Sequence, residues 1–167
     1  MKCMNCEGQK MKVAKIDYPV EIPGGPSLKI KGIEVFQCPK CKDTVVDSAV
    51  SAMITKMALS SLFTHYWPLE KAMPGTVATW IRKAIGMSNA ELAKLSGQTS
   101  AAFSQAEKRN SDLDSLAKLH LLIKTADFVT GTTVGTDSLG MMMSQVGELV
   151  HDRGNVDSVE YQEASAG

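Results

Sequence analysis

Apolar and polar residues alternate along two stretches near the start of the chain. Lys12–Ile22 alternates over part of its length, and Leu28–Phe36 alternates more regularly. A period of two is typical of β-strands with one buried face. Pro23-Gly24-Gly25-Pro26 lies between the two stretches and predicts a turn. The pattern therefore predicts a β-hairpin.

Helical spacing replaces this alternation after Asp43. Apolar residues recur three and four positions apart in a predicted helix that ends at Leu62 and that Asp47 or Ser48 can cap. The stripe consists of Val50, Met53, Ile54, Met57 and Leu62. Such a stripe suits packing within the chain and binding of a partner equally well. Thr64–Gly75, which contains two prolines, is predicted to be a connector between two domains.

Two longer helices are predicted on either side of position 100. Thr76 is the expected cap of a helix over Val77–Ile85, in which Trp80, Ile81 and Ala84 are expected to be buried and Arg82 and Lys83 to face solvent or phosphate. Ser111–Asp114 resembles a capping box for a helix that ends near Ala126. The apolar face of that helix is larger than one small domain needs, which predicts a homodimer. It comprises Leu113, Leu116, Leu119, Leu122 and Ile123.

Between these helices the sequence predicts two short helices joined by a tight turn. Ser88–Glu91 fits a capping box at the start of a helix over Asn89–Leu95. Gly97 follows, where a left-handed residue commonly ends a helix. A second helix is expected to begin at Thr99 or Ser100. Two short helices around a glycine-containing turn describe a helix-turn-helix, whose second helix enters the DNA major groove.

Composition and charge restrict the class of protein. The 167 residues are 44% hydrophobic and 22% charged, as in ordinary globular proteins, and allow one or two small domains. No run approaches the roughly 18 apolar residues of a membrane span, and the opening residues lack a secretory signal, so a cytoplasmic location is expected. The net charge is zero, but residues 131–167 carry one basic and six acidic residues. This acidic tail is predicted to hold a flexible linker and one possible helix, Ser138–Asp152.

The four cysteines form two pairs with identical spacing. Cys3 and Cys6 open the first segment, and Cys38 and Cys41 close it. Each C-x-x-C presents two sulfurs from one tight turn, and two such turns make the tetrahedral thiolate shell that structural Zn²⁺ prefers. Four free thiols are the alternative, but no cysteine falls outside the two pairs. Because cysteines would fill the shell, the predicted Zn²⁺ is structural, and no catalytic constellation appears elsewhere, so no enzyme is predicted.

These features together resemble a known family. Met-Lys-Cys-x-x-Cys, Leu28–Ile33 and Cys38-x-x-Cys41 are similar to the YgiT-type zinc module of the MqsA-type antitoxins. Ile81–Ala93 and Phe103–Lys108 resemble a Cro/repressor-type, or Xre-type, helix-turn-helix domain. The resemblance implies a repressor that binds a palindromic operator of its own operon as a homodimer, and a zinc module that neutralises an mRNA-cleaving toxin. A zinc-stabilised adaptor that binds only protein is the alternative.

The same resemblance implies which residues meet DNA. Base-facing candidates are Ser100, Ala101, Ser104 and Gln105, and Asn89 is expected to bond a phosphate. Thr99, Lys108 and Arg109 are further phosphate candidates. The family usually has Gln at the position of Asn89, often Arg at that of Gln105, and often Gly at that of Arg109, so the bases that are read are not predicted.

The predicted fold class is therefore α+β. A zinc-bound β module with its following helix occupies residues 1–63 and a connector residues 64–75. An all-α helix-turn-helix domain occupies residues 76–130, and the acidic tail residues 131–167.

Overall fold

The computed structural model describes residues 1–6, 8–131 and 159–162, the last four as backbone only. A small sheet is followed, within these residues, by five helices, and a last strand returns to the sheet. This confirms the α+β class. The elements are β1 (Lys12–Val20), β2 (Ser27–Gln37), β3 (Thr44–Val45), α1 (Ser48–Tyr66), α2 (Gly75–Ala84), α3 (Asn89–Leu95), α4 (Ser100–Arg109), α5 (Ser115–Thr130) and β4 (Val159–Gln162).

Strands β1 and β2 form the predicted hairpin. They pair antiparallel, from Lys12 opposite Gln37 to Val20 opposite Leu28. The Gly25 N–H donates to the Ile22 carbonyl at 2.9 Å. Pro23 and Gly24 occupy the central positions of this turn, and Gly24 has a φ of +71°, which is the signature of a type II turn.

The edge of β2 away from β1 is covered at both ends. Phe36 and Gln37 pair with β3. Residues 27–30 pair antiparallel with β4, which comes from the acidic tail. Neither short strand was predicted. The linker and helix predicted within residues 132–158 lie outside the described residues.

Helix α1 joins the sheet to the helical half of the molecule. Asp47 is its cap, as predicted, because its carboxylate accepts from the Val50 N–H at 2.8 Å. Near its start, Ile54 packs on the inner face of the sheet. Near its end, Phe63 and Tyr66 are 2% and 3% exposed in the helical core. The helix therefore continues to Tyr66, into the stretch predicted as connector, because the helical half buries these aromatic side chains.

One apolar cluster fills the centre of the helical half. It contains residues from every helix, and Ile22 and Leu28 of the hairpin also belong to it. The turn end of the hairpin thus shares a core with the helices, whereas a separate cluster lies between the rest of the sheet and α1. The central members are Leu62, Met73, Val77, Ile81, Leu92, Phe103, Leu121 and Leu122.

Two predicted helix caps are wrong. Helix α2 begins at Gly75, and the Thr76 N–H and hydroxyl both donate to Asn110 Oδ1, at 3.1 and 2.7 Å. Helix α5 begins at Ser115, because Asp114 Oδ1 accepts from the N–H groups of the second and third helical residues at 3.0 and 3.1 Å. In both cases a side chain other than the predicted one satisfies the free amides of the first turn.

The predicted apolar face of α5 is mostly used inside the chain. Leu122 is fully buried, Leu113 and Ile123 are buried, and Leu116 is 49% exposed. Less apolar surface is therefore left over than the sequence predicted, and the homodimer stays a prediction. No helix in the described parts of the chain has the length and apolar composition needed to span a membrane.

Candidate metal centre and nucleic-acid interface

The four cysteine sulfurs lie together at the open end of the hairpin. Their Sγ atoms are all within 4.8 Å of one another, and those of Cys3 and Cys41 are 3.7 Å apart. Ligands at the usual Zn–S distance of about 2.3 Å in a tetrahedron are roughly 3.8 Å apart. Cys3 and Cys38 are buried, Cys6 is half-buried and Cys41 is exposed.

Main-chain turns hold each cysteine pair. The Cys3 N–H donates to the Gln9 carbonyl at 2.8 Å, and the Cys38 N–H donates to the Asp43 carbonyl at 2.9 Å. The two turns are also linked to each other, because Asn5 Nδ2 donates to the carboxylate of Asp43 at 3.1 Å. These bonds fix the sulfurs from elements far apart in sequence.

The thiols differ in acidity. The main-chain N–H groups of Cys41 and Lys40 lower the pKa of Cys38 to about 7. Its hydrogen bond to Cys41, together with burial, raises the pKa of Cys6 to about 12. Burial raises the pKa of Cys3 as well. A thiophilic cation must displace the protons from such thiols, so binding is expected to weaken as the pH falls. The donor set and spacing fit a closed site for such a cation.

Helices α3 and α4 form the predicted two-helix unit. The Ser88 hydroxyl accepts from the Glu91 N–H at 3.2 Å, and the Ser88 N–H donates to the Glu91 carboxylate at 2.6 Å, so the predicted capping box is confirmed. The Ser88 hydroxyl, which donates to the Glu91 carboxylate at 2.7 Å, and the Ser88 N–H together hold the pKa of Glu91 below its usual value. Gly97 has a φ of +68° in the turn. The Thr99 hydroxyl accepts from the Ala102 N–H at 3.2 Å and caps α4.

A polar network fixes α4 against α2 and α3. The Arg82 Nε and Nη2 atoms both donate to Glu107 Oε1 at 3.1 Å, and Nη1 donates to the Met87 carbonyl at 2.8 Å. Arg82 does not face solvent or phosphate as expected, because its side chain is only 11% exposed in this ion pair. The sequence did not predict this ion pair, although Arg82 and Glu107 both lie in the stretches that resemble a Cro/repressor-type domain.

Asn89 extends the same network from the first residue of α3. Its Nδ2 donates to Ser104 Oγ at 2.9 Å and to Glu107 Oε2 at 3.4 Å. Its Oδ1 is buried and has no hydrogen-bond partner among the described residues. Both N–H groups of the amide are therefore used within the chain.

The other predicted DNA-contacting residues lie on the outside of α4. Ser100, Ala101 and Gln105 are exposed, whereas Ser104 is half-buried beside Asn89. Spacing of four residues places Ala101 and Gln105 on one face. Thr99, Lys108 and Arg109 are exposed near the two ends of α4.

Comparison with known families accounts for both halves together. The model of the antitoxin component of bacterial toxin-antitoxin systems, MqsA, matches residues 1–129. The chain belongs to the MqsA antitoxin family. Curated proteins gave no match to the sequence. The MqsA match covers the cysteine cluster and all five helices described above except the end of α5, and it leaves out β4. Membership supports an antitoxin and therefore a toxin partner.

Proposed function

We propose that this antitoxin is a transcriptional repressor of its own operon, with α4 as the recognition helix. The observation that carries the proposal is the capped α3–turn–α4 unit, whose outer face offers Ser100, Ala101 and Gln105, in a member of the MqsA family. The network of Arg82 and Glu107 supports it, since a recognition helix must be held rigidly to read bases. The protein is proposed to act in the cytoplasm and to have no enzymatic activity.

Base recognition would rest mainly on Gln105. A Gln side chain can bond adenine N6 and N7 together, whereas Ser100 is permissive and Ala101 offers only a methyl contact to thymine. Ser104 would reach a base only by leaving Asn89. Lys108, Arg109 and Thr99 would bond phosphates and set the register without reading sequence.

Asn89 remains a candidate for a phosphate contact at the start of α3. Its longer bond, 3.4 Å to Glu107, is the one that a phosphate oxygen would replace. The helix N-terminus favours an anion at this position. Glu107 would keep Arg82 as its partner, so the exchange would not leave a carboxylate uncompensated.

We further propose that the cysteine cluster holds one structural Zn²⁺ and that the module around it neutralises an mRNA-cleaving toxin. The metal would tie residues 3–6 to residues 38–41 and so close the open end of the hairpin. Four sulfur ligands leave no position for substrate or water, which supports a structural role. In cells whose growth is stopped by a toxin encoded beside the gene, co-expression of this chain should restore growth. The Cys38→Ser variant should not.

DNA binding is the deciding test. The full chain should be titrated by fluorescence anisotropy against the DNA upstream of its gene and against a scrambled duplex, at two salt concentrations. Gln105→Ala should relax base preference at one position per half-site, and Asn89→Ala should weaken binding to all sequences about equally. Lys108→Ala should reduce the salt dependence by about one counterion, whereas Lys15→Ala, the same charge change on the exposed face of β1, should not.

A homodimer should bind two half-sites related by a two-fold axis. The same titration should therefore saturate at two protomers per duplex. Light scattering of the free protein gives an independent measure of the assembly. Negligible binding to both duplexes at low salt would reject the repressor and leave a zinc-stabilised protein-binding adaptor.

A further inference from the structure

The β1–β2 turn touches the helical half at the start of α2. A Cβ built on Gly24 would lie 2.2 Å from Thr76 Oγ1, and one built on Gly25 would lie 2.9 Å from Val77 Cγ2. Contacts of this length do not occur for real Cβ atoms, so the turn approaches α2 this closely only because both residues are glycine. The turn is therefore docked on the helix.

The docked turn meets a residue that ends α4. Thr76, which lies under Gly24, donates its hydroxyl to Asn110 Oδ1 at 2.7 Å. Asn110 closes α4 in the left-handed conformation, with a φ of +50°, and its N–H donates to the carbonyls of Ala106 and Glu107. The side chain of Thr76, in the first turn of α2, is thus bonded to Asn110, the residue that follows α4, directly under the β1–β2 turn.

Main-chain contacts make this joint rigid. The Gly75 N–H donates to the Ser111 carbonyl at 3.0 Å, and the Leu113 N–H donates to the Met73 carbonyl at 2.9 Å. A Cβ on Gly75 would lie 2.7 Å from the Ala106 carbonyl oxygen, so α2 begins against the backbone of the last turns of α4. A shift of the hairpin must therefore be absorbed by α2 and α4 together.

We propose that the β1–β2 turn is a positioning element for α4, through which the hairpin sets the affinity for DNA. The contact runs from Gly24 to Thr76, from Thr76 to Asn110, and from Asn110 to α4. This inference rests on the proposed function, since the orientation of α4 matters only if α4 binds DNA. Coupling of this kind is reciprocal, so DNA binding would also stabilise the docked turn.

Glycine variants test the contact. Gly24→Ala places a methyl group against Thr76, and Gly25→Ala places one against Val77 without requiring a left-handed residue. The matched control is Gly131→Ala, because Gly131 also has a left-handed φ, +73°, but no atom of the described residues lies within 4 Å of its added Cβ. We expect both turn variants to weaken binding to the upstream DNA about fivefold or more, and the control to stay within about twofold of wild type.

Variants of Thr76 separate positioning from general destabilisation. Thr76→Val removes the hydroxyl bonded to Asn110, and Thr76→Ser keeps it, so only Thr76→Val should weaken DNA binding. The double variant Gly24→Ala/Thr76→Val should lose less than the product of the two single losses, because both changes break one contact. If Gly24→Ala does not fold, Gly25→Ala and the Thr76 pair decide the matter.

The outcomes distinguish the two proposals. Wild type that does not bind the upstream DNA rejects the repressor itself. Wild type that binds, with Gly25→Ala and Thr76→Val both within about twofold of it, overturns the positioning role and leaves the repressor intact. Losses that multiply in the double variant, or equal losses for Thr76→Ser and Thr76→Val, also count against the positioning role.

Discussion

Replacing Arg82 by methionine tests whether the network beneath α4 holds the helical half together. The ion pair is nearly enclosed, with Arg82 and Glu107 side chains 11% and 16% exposed. Arg82→Met removes three hydrogen bonds and leaves the Glu107 carboxylate, among the described residues, with only the 3.4 Å contact from Asn89. Removing one partner of a buried pair costs about 3–5 kcal/mol. Water can still reach the pair in part, so we expect about 3 kcal/mol.

Thermal unfolding followed by circular dichroism measures this loss. For a chain of this size 1 kcal/mol corresponds to a change in Tm of about 2–4 °C, so Arg82→Met should lower Tm by roughly 6–12 °C. The double variant Arg82→Met/Glu107→Met should recover most of the loss, because no buried charge remains unpaired. The loss of Tm in the double variant should therefore be much smaller than the sum of the two single losses.

The Lys15–Glu34 pair supplies the control. Its atoms are 4.0 Å apart and its side chains are 60% and 53% exposed, so Lys15→Met should cost at most about 1 kcal/mol. An Arg82→Met shift no larger than that of Lys15→Met, or single effects that add in the double variant, would refute the reasoning.

Three further predictions concern other parts of the molecule. Cys38→Ser should reduce bound zinc, measured by atomic absorption, from about one equivalent to none; zinc retained at wild-type stoichiometry would contradict the cluster as its site. Burial lowers the pKa of Lys118 below its usual 10.5. Between the lowered pKa and 10.5 the folded chain therefore binds fewer protons than the unfolded chain, and stability rises with pH in that range. In urea unfolding, Lys118→Met should remove this rise of stability with pH, and an unchanged pH profile would count against the prediction. The same variant leaves carbonyls of the α1–α2 connection without their donor, which should cost about 1–3 kcal/mol. Ending the chain at Gly131 removes β4 and should speed hydrogen exchange in β2 residues 27–30, which pair with β4, but not in residues 33–36, which do not; equal rates in both chains would show that β4 does not cover this edge.

Local chemistry explains which parts of the fold could be predicted. The capping box at Ser88, the left-handed Gly97 and the Pro23–Gly24 turn each depend on residues within four positions of one another, and all three are confirmed. The C-x-x-C pairs were also recognisable, because each presents its two sulfurs from one tight turn. That the four sulfurs converge follows from the hairpin, which returns Cys38 to Cys3.

The wrong predictions involve partners far away in the sequence. Thr76 resembles a helix cap, but Asn110, 34 positions later, accepts both of its donors. Arg82 resembles a solvent-facing cation, but Glu107, 25 positions later, pairs with it. Helix α1 passes its expected end because the helical core buries Tyr66. Strand β4 has only four residues, too few for a pattern of alternation to be recognised.

Two of these long-range contacts connect α2 to the C-terminal end of α4. Arg82 holds the last turn of α4 through Glu107, and Thr76 holds the residue that follows α4 through Asn110. Arg82 and Thr76 both lie on α2, and the β1–β2 turn is docked on the start of α2. Because the hairpin also carries the cysteine cluster, the surface proposed for a toxin and the helix proposed for DNA share one rigid support. A toxin that shifts the hairpin should then change operator affinity, and the part of the change that passes through the docked turn should disappear in Gly25→Ala.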